Sequence, residues 1–187
     1  MELEMSVRTM KIECDGAVKR GFLRKATMGL AWFGIASTLS VSACGQTLPA
    51  PGGLPLSLAM DAVGETVRVC EAKGLKVAVT IVDPDGVIKL QARGDGSPIH
   101  SQEFSYRKAY TVMSMGPMQG VDSNSALIGK VSPAASNGAS ILLMLPGAVL
   151  LKQNGQAIAA IGVSGAPKSL DDEACAQAGI DKIKGRL

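Results

Sequence analysis

A single histidine, His100, stands in 187 residues, and three phenylalanines, two tyrosines and one tryptophan are the only other aromatic rings. One imidazole and a few scattered cysteines do not make a zinc ligand set. Nor do they close a serine triad. The run Gly162-Val163-Ser164-Gly165-Ala166 has Ala166 where a nucleophile elbow needs glycine, and no histidine follows the serine. Charge of one sign is also scarce: the chain carries 19 basic and 16 acidic residues, with no basic stripe or RNA-reading motif, so nucleic acid is not an expected partner. Long apolar runs are missing as well. The most apolar stretch, Met28 to Val41, makes about 21 Å of helix, short of the ~30 Å hydrocarbon core of a bilayer. There is no internal repeat.

That short run is informative through its flanks. Lys19, Arg20, Arg24 and Lys25 precede it, and Ser42-Ala43-Cys44-Gly45 follows, which is the arrangement of a signal peptide cut after residue 43. Val41-Ser42-Ala43-Cys44 also resembles a bacterial lipobox, so two outcomes stay open: a lipid on Cys44 that tethers the mature chain to a membrane, or an ordinary cut that leaves a free cysteine. The expected location is exported, either periplasmic or as a membrane-anchored lipoprotein. Six of the basic and four of the acidic residues lie in the leader, leaving a nearly neutral mature chain of 13 against 12. The Pro/Gly-rich stretch 44–55 reads as a tether, and 56–187 as one domain.

Within that domain, Ala59, Ala62, Val63, Thr66, Val67 and Cys70 form one helical stripe that Gly74 stops. Val77 to Val82 and Val87 to Ala92 flank the turn Asp83-Pro84-Asp85-Gly86 as a hairpin. A helix is expected from about Ser101 to Met115, ending near Gly116-Pro117, and a short one around Asp122 to Gly129. Ile141 to Leu145, Ala148 to Lys152 and Gln156 to Ser164 read as strands, the last pair turned by Gln153-Asn154-Gly155. The run Ala157 to Val163 is apolar at nearly every position and is expected to be a central strand covered on both faces. Ser169 to about Lys184 is the final helix, with Asp171, Asp172 and Glu173 at its positive end. The fold class is α+β with an antiparallel sheet, in the order α-β-β-α-α-β-β-β-α. Cys70 and Cys175 fall on the first and last helices. Packed side by side they can form a disulfide; packed apart they are two buried thiols, since pairing needs Cα atoms within ~7 Å.

Asp83, Asp85 and Asp95 each lie in a Gly/Pro turn, where Asp serves local hydrogen bonding rather than paired-carboxylate catalysis. The chemistry gathers instead on residues 100 to 115. Phe104, Tyr106 and Tyr110, all the aromatics after the leader, lie on one helix. Helical spacing places His100, Phe104, Arg107 and Lys108 on one face, and Tyr106, Tyr110 and Met113 on another. A flat apolar ligand carrying carboxylates, such as haem, can use rings for stacking, cations for its propionates, and His, Tyr or Met for iron. The same residues can equally pack on the sheet with their cations solvated.

Val82-Asp83 with Gly86, Arg93-Gly94-Asp95-Gly96, Lys108-Ala109-Tyr110-Thr111, Ile161-Gly162-Val163-Ser164-Gly165 and Asp172 through Ala176 to Gly179 together resemble the GlcG/HbpS-like family, named for a glycolate-utilisation protein and a haem-binding protein. The resemblance runs from about residue 56 to the end. It implies a five-stranded antiparallel sheet flanked by helices, a homo-oligomer and, as in exported members, haem binding; with the leader and the aromatic-cationic helix, the expectation is an exported, non-catalytic haem- or tetrapyrrole-binding protein. His100 stands where the family is commonly apolar. The cofactor contacts expected here are Arg93, His100, Phe104, Arg107, Lys108 and Tyr110, with His100 or Tyr110 as iron ligand. An alternative is an accessory enzyme or binder for a small organic acid, clamped by Arg93, Arg107 or Lys108. A structural oligomer without ligand is a third.

Overall fold

In the computed structural model, residues 53–187 are described. The expected signal peptide, Cys44 and most of the tether lie outside them. Helix α1 (Leu56–Ala72) buries the expected stripe of Ala59, Ala62, Val63, Thr66 and Cys70. Strands β1 (Ala78–Val82) and β2 (Ile88–Arg93) form the first hairpin. Helix α2 (Ser101–Gln119) follows, then two short helices, α3 (Asn124–Leu127) and α4 (Pro133–Gly138). Strands β3 (Ala148–Gln153) and β4 (Gln156–Ser164) make the second hairpin, and α5 (Ser169–Ile183) ends in a 3-10 turn.

The sheet runs β2-β1-β4-β3 with every neighbouring pair antiparallel. Its centre is β1 and β4, whose residues 78–82 and 158–164 are buried throughout, as the apolar run in the sequence requires. Side chains alternate between two cores. Val79, Ile81, Ala159, Ile161 and Val163 face α1 and α5, where they meet Ala62, Val63, Ala176 and Ile180. Val82, Ala148, Leu150 and Ala160 face α2, against Ala109, Val112 and Met113. This period of two separates the face covered by α2, with Leu127 of α3, from the face covered by α1 and α5.

Two sequence features acquire their cause here. Gly162 lies where β4 touches α2: a Cβ at that position would stand 2.2 Å from the carbonyl oxygen of Ser105 and 2.7 Å from the amide nitrogen of Ala109, so only glycine lets helix and strand meet. Cys70 and Cys175 are joined by a disulfide, with Cα atoms 5.7 Å apart and both residues fully buried between α1 and α5.

The expected fifth strand at Ile141–Leu145 is a correction, for the sheet has four strands. The outer edge of β3 is already taken, by a bridge between Ser123 and Val149 and by a hydrogen bond from Leu150 N–H to the Asp122 carbonyl. The backbone of residues 140–145 is consumed by side chains instead. Arg107 donates to three of its carbonyls, Thr111 Oγ1 accepts from the Leu143 N–H at 2.8 Å, and Asn124 Nδ2 donates to the Leu145 carbonyl at 3.1 Å. An apolar run whose polar backbone is satisfied this way has no call for a ladder. Helix α2 also outruns its expected end. Pro117 sits in the last turn, and Gly120, with φ 63° and its N–H directed at the Gly116 and Pro117 carbonyls, supplies the stop.

Candidate functional site

The buried residues of α2 are Ser101, Ser105, Lys108, Ala109, Thr111, Val112, Met113 and Gly116, so Lys108 is carried inward with its apolar neighbours. Its ammonium donates to Asp172 Oδ2 at 2.8 Å and to the Val163 carbonyl at 3.1 Å, and both charged side chains are sealed from solvent. Asp172 accepts a further hydrogen bond from the Ala166 N–H at 2.9 Å. Burial raises its carboxyl above the ordinary carboxylate range, against the opposing pull of the Lys108 ammonium and the Ala166 N–H. Lys108 is therefore a core residue that ties α2 to α5 and β4. The expectation that it shares a ligand-facing surface with His100 and Phe104 is corrected, because such a buried pair cannot separate cheaply. Next to it, Glu173 accepts from the N–H groups of Ser125 and Gly147 and from the Ser125 hydroxyl, binding α3 and the turn before β3 to α5.

The other members of the expected set divide between two faces of α2. His100 is exposed at the helix start, and its ring meets Phe104 edge-on with centroids 5.1 Å apart. The Arg107 guanidinium lies 5.8 Å from the Phe104 ring centroid. It donates from Nη2 to the carbonyls of Ser140 (2.7 Å) and Leu142 (3.2 Å), and from Nε to that of Ile141 (3.3 Å). Its contact with the exposed Glu103 carboxylate is longer, 3.5 Å. On the opposite side, Tyr106 and Tyr110 pack edge-on at 6.0 Å against the Asp83–Gly86 turn. Gly86 adopts φ 77°, and a Cβ there would fall 2.7 Å from the Tyr110 ring, so this glycine is what seats the tyrosine. Arg93 stays within its own loop, donating to the Ser97 hydroxyl at 3.1 Å and carbonyl at 2.6 Å. The structure thus brings His100, Phe104 and Arg107 together and keeps Arg93, Lys108 and Tyr110 elsewhere.

An open groove of about 310 Å³ runs between β2 and α2, lined by Ile88, Gln91, Ile99, Gln102, Glu103 and Tyr106. Its floor is a polar network: Gln91 donates to Thr80 Oγ1 and the Gln102 carbonyl, Gln102 donates back to Gln91 Oε1, and the Thr80 and Ser105 hydroxyls lie 2.7 Å apart. Ile99 is 86% exposed at its rim, immediately before His100. Sequence reasoning missed Gln91 and Gln102, because neither residue type stands out without the cross-strand register. It also missed the inward role of Asp172. That residue has a visible signal, since 172, 175, 176, 179, 180 and 183 form the buried stripe of α5.

The family model described as "Haem degrading protein HbpS-like" matches residues 54–181. The chain belongs to the HbpS-like family. Among solved structures, this HbpS-like chain is similar to HbpS at 32% identity and TM-score 0.65, over 75% of this chain and 97% of that one. A double mutant of HbpS from Streptomyces reticuli gives 31% identity and TM-score 0.64, over 78% and 97%. A structure described as a PduOC–haem complex shares the fold at 23% identity and TM-score 0.62, over 70% and 95%. No curated protein matches the sequence significantly.

A haem group can be tested against the residues that the fold brings together. The one imidazole of the chain is exposed, oriented by a ring contact, and bordered by an exposed Ile99 and by Phe104. Arg107 beside them is held by neutral acceptors rather than buried against a carboxylate. These side chains fit one face of a planar iron porphyrin: an iron ligand, an apolar rest and a cation for a propionate. Among the described residues no cluster of three or more His, Cys, Asp or Glu could hold a bare metal ion.

Proposed function

We propose that this HbpS-like protein is an exported haem-binding protein, with His100 as iron ligand and the macrocycle resting on the first turns of α2. The observation that carries the reading is the exposed His100 set edge-on against the half-buried Phe104 ring beside Ile99, in a chain whose family is described by haem chemistry. The bound group would supply the iron and its redox chemistry. The chain's own residues supply one imidazole, an apolar rest and, in Arg107, a carboxylate partner. The role proposed is binding without turnover. Export rests on the leader, and the buried disulfide between Cys70 and Cys175 favours it, because such bonds form and persist in oxidising compartments. A lipid on Cys44 would attach the mature chain to a membrane; partitioning of the mature protein into detergent, lost in Cys44→Ala, tests it.

The organic-acid reading draws less support. Of its three clamp residues, Lys108 is buried on Asp172 and Arg93 is bound inside its own loop.

Titration with hemin tests the proposal. A saturable Soret shift at one haem per chain, or per fixed number of chains, is expected, and no shift would refute it. Bound haem should then keep its Soret band in the presence of a reductant and oxygen; bleaching with iron release would replace binding alone by degradation.

A further inference from the structure

Arg107 differs from the other two cations of the expected set in the kind of partner it has. Lys108 faces a buried carboxylate, and Arg93 faces the hydroxyl and carbonyl of Ser97 within its own turn. Arg107 faces three neutral carbonyls of one segment, those of Ser140, Ile141 and Leu142, while its side chain remains 22% exposed and borders Phe104. The guanidinium fork matches a carboxylate in bidentate geometry, and a carboxylate adds the attraction of an opposite charge to hydrogen bonds that the cationic donor already strengthens toward the carbonyls. The single carboxylate near it, on Glu103, is 3.5 Å away and 70% exposed, a weak competitor.

The segment that Arg107 holds is half-buried at Ile141, Leu142 and Leu143, and Met144 after it packs against the α2-side core. It belongs to no strand; the Leu142 N–H donates to the Ala139 carbonyl and the Leu143 N–H to Thr111 Oγ1, and just beyond it the Leu145 N–H donates to the Leu143 carbonyl. At its far end the Leu145 carbonyl accepts from Asn124, which is fully buried and also bound to the Lys108 carbonyl, so that end is fixed to the core. Loss of the three Arg107 bonds therefore leaves residues 139–143 to be held by the Thr111 bond at Leu143 and by the half-buried side chains of 141–143, next to an anchored end at 145.

We infer that Arg107 is a carboxylate-exchange switch: a ligand carboxylate arriving beside His100 and Phe104 displaces the carbonyls of residues 140–142 and releases the 139–143 segment from α2. This rests on the haem reading, and it sharpens it: the ligand must be planar and carry at least one free carboxylate, and its arrival is reported as a change in a surface segment on the adjoining face of the helix. No bond is made or broken beyond the hydrogen bonds, and Arg107 keeps its charge throughout.

Hydrogen–deuterium exchange of the full chain, read peptide by peptide, tests it with hemin and with the dimethyl ester of the same porphyrin, while absorbance records binding. Hemin should speed exchange across 139–143 by more than about tenfold, and the bound diester should leave it unchanged. Arg107→Gln should exchange fast there with or without hemin. A Soret shift with unchanged exchange at 139–143 would overturn the switch and leave haem binding intact. Equal acceleration by the diester would also overturn it, and the absence of any Soret shift would remove both readings.

Discussion

Lys108 Nζ lies 2.8 Å from Asp172 Oδ2, with both side chains withdrawn from solvent and the two residues 64 positions apart in the chain. The pair sits where α2, β4 and the first turn of α5 converge, so removing either member leaves an uncompensated charge in the core. Lys108→Met is expected to cost about 3–5 kcal/mol, and Lys108→Met combined with Asp172→Leu to recover part of that loss. Urea unfolding of the two variants beside the wild type decides it. Equal midpoints for wild type and Lys108→Met would show that the pair contributes little.

The same carboxyl predicts a pH dependence. Because burial raises its folded pKa above the unfolded value, the folded chain holds this proton more tightly, and the stability it contributes is present at low pH and lost as pH rises through the folded pKa. Asp172→Asn cannot titrate. Wild type should therefore gain stability relative to Asp172→Asn as the pH is lowered from about 7 to about 4, measured by urea midpoints at each pH. A difference that stays constant over that range would remove the shift.

Gly162 gives a test of the α2–β4 contact. A methyl group there would meet the Ser105 carbonyl at 2.2 Å, and neither partner is a flexible side chain, so the helix must move away from the strand. Gly162→Ala should cost about 1–3 kcal/mol or more by thermal or urea unfolding. Gly155→Ala, at a position with open space but φ 81°, should cost only the smaller strain of its left-handed backbone, on the order of 1 kcal/mol.

Much of the fold was legible because its signals are local. The α1 stripe, the Asp83–Gly86 and Asn154-Gly155 turns and the doubly covered β4 run all stand in sequence as they stand in space. What was not legible depends on which side chain meets which backbone. Ile141–Leu145 has the apolar character of a strand, yet Arg107, Thr111 and Asn124, 21 to 35 residues away, take its hydrogen bonds. Lys108 followed the same logic. Helical spacing grouped it with His100 and Phe104, whereas its place on the buried stripe with Ser105 and Val112, matched by Asp172 on the buried stripe of α5, was the stronger clue.

The disulfide ties together the two helices that cover one face of the sheet. It spans 105 residues, and both cysteines are fully buried. Cys70→Ala with Cys175→Ala should lose about 2–5 kcal/mol. Alkylation followed by mass spectrometry should find neither thiol in folded protein until the chain is both unfolded and reduced. Two thiols alkylated without reductant would mean the bond does not form.

The iron ligand can be assigned by substitution because the two candidates cannot serve the same iron from one chain. His100 and Tyr110 are ten residues apart along α2, about 15 Å of helix, and they face different neighbours: His100 the solvent beside Phe104, Tyr110 the Gly86 turn. Tyr110 is half-buried with its ring packed on Gly86, whereas His100 is exposed. His100→Ala should therefore weaken hemin binding by more than about tenfold and change the spectrum, while Tyr110→Phe, which keeps the ring and removes only the hydroxyl, should leave both as in the wild type. The opposite pattern would move the iron to the tyrosine and with it the porphyrin to the other face of α2, where Arg107 could no longer reach its carboxylates.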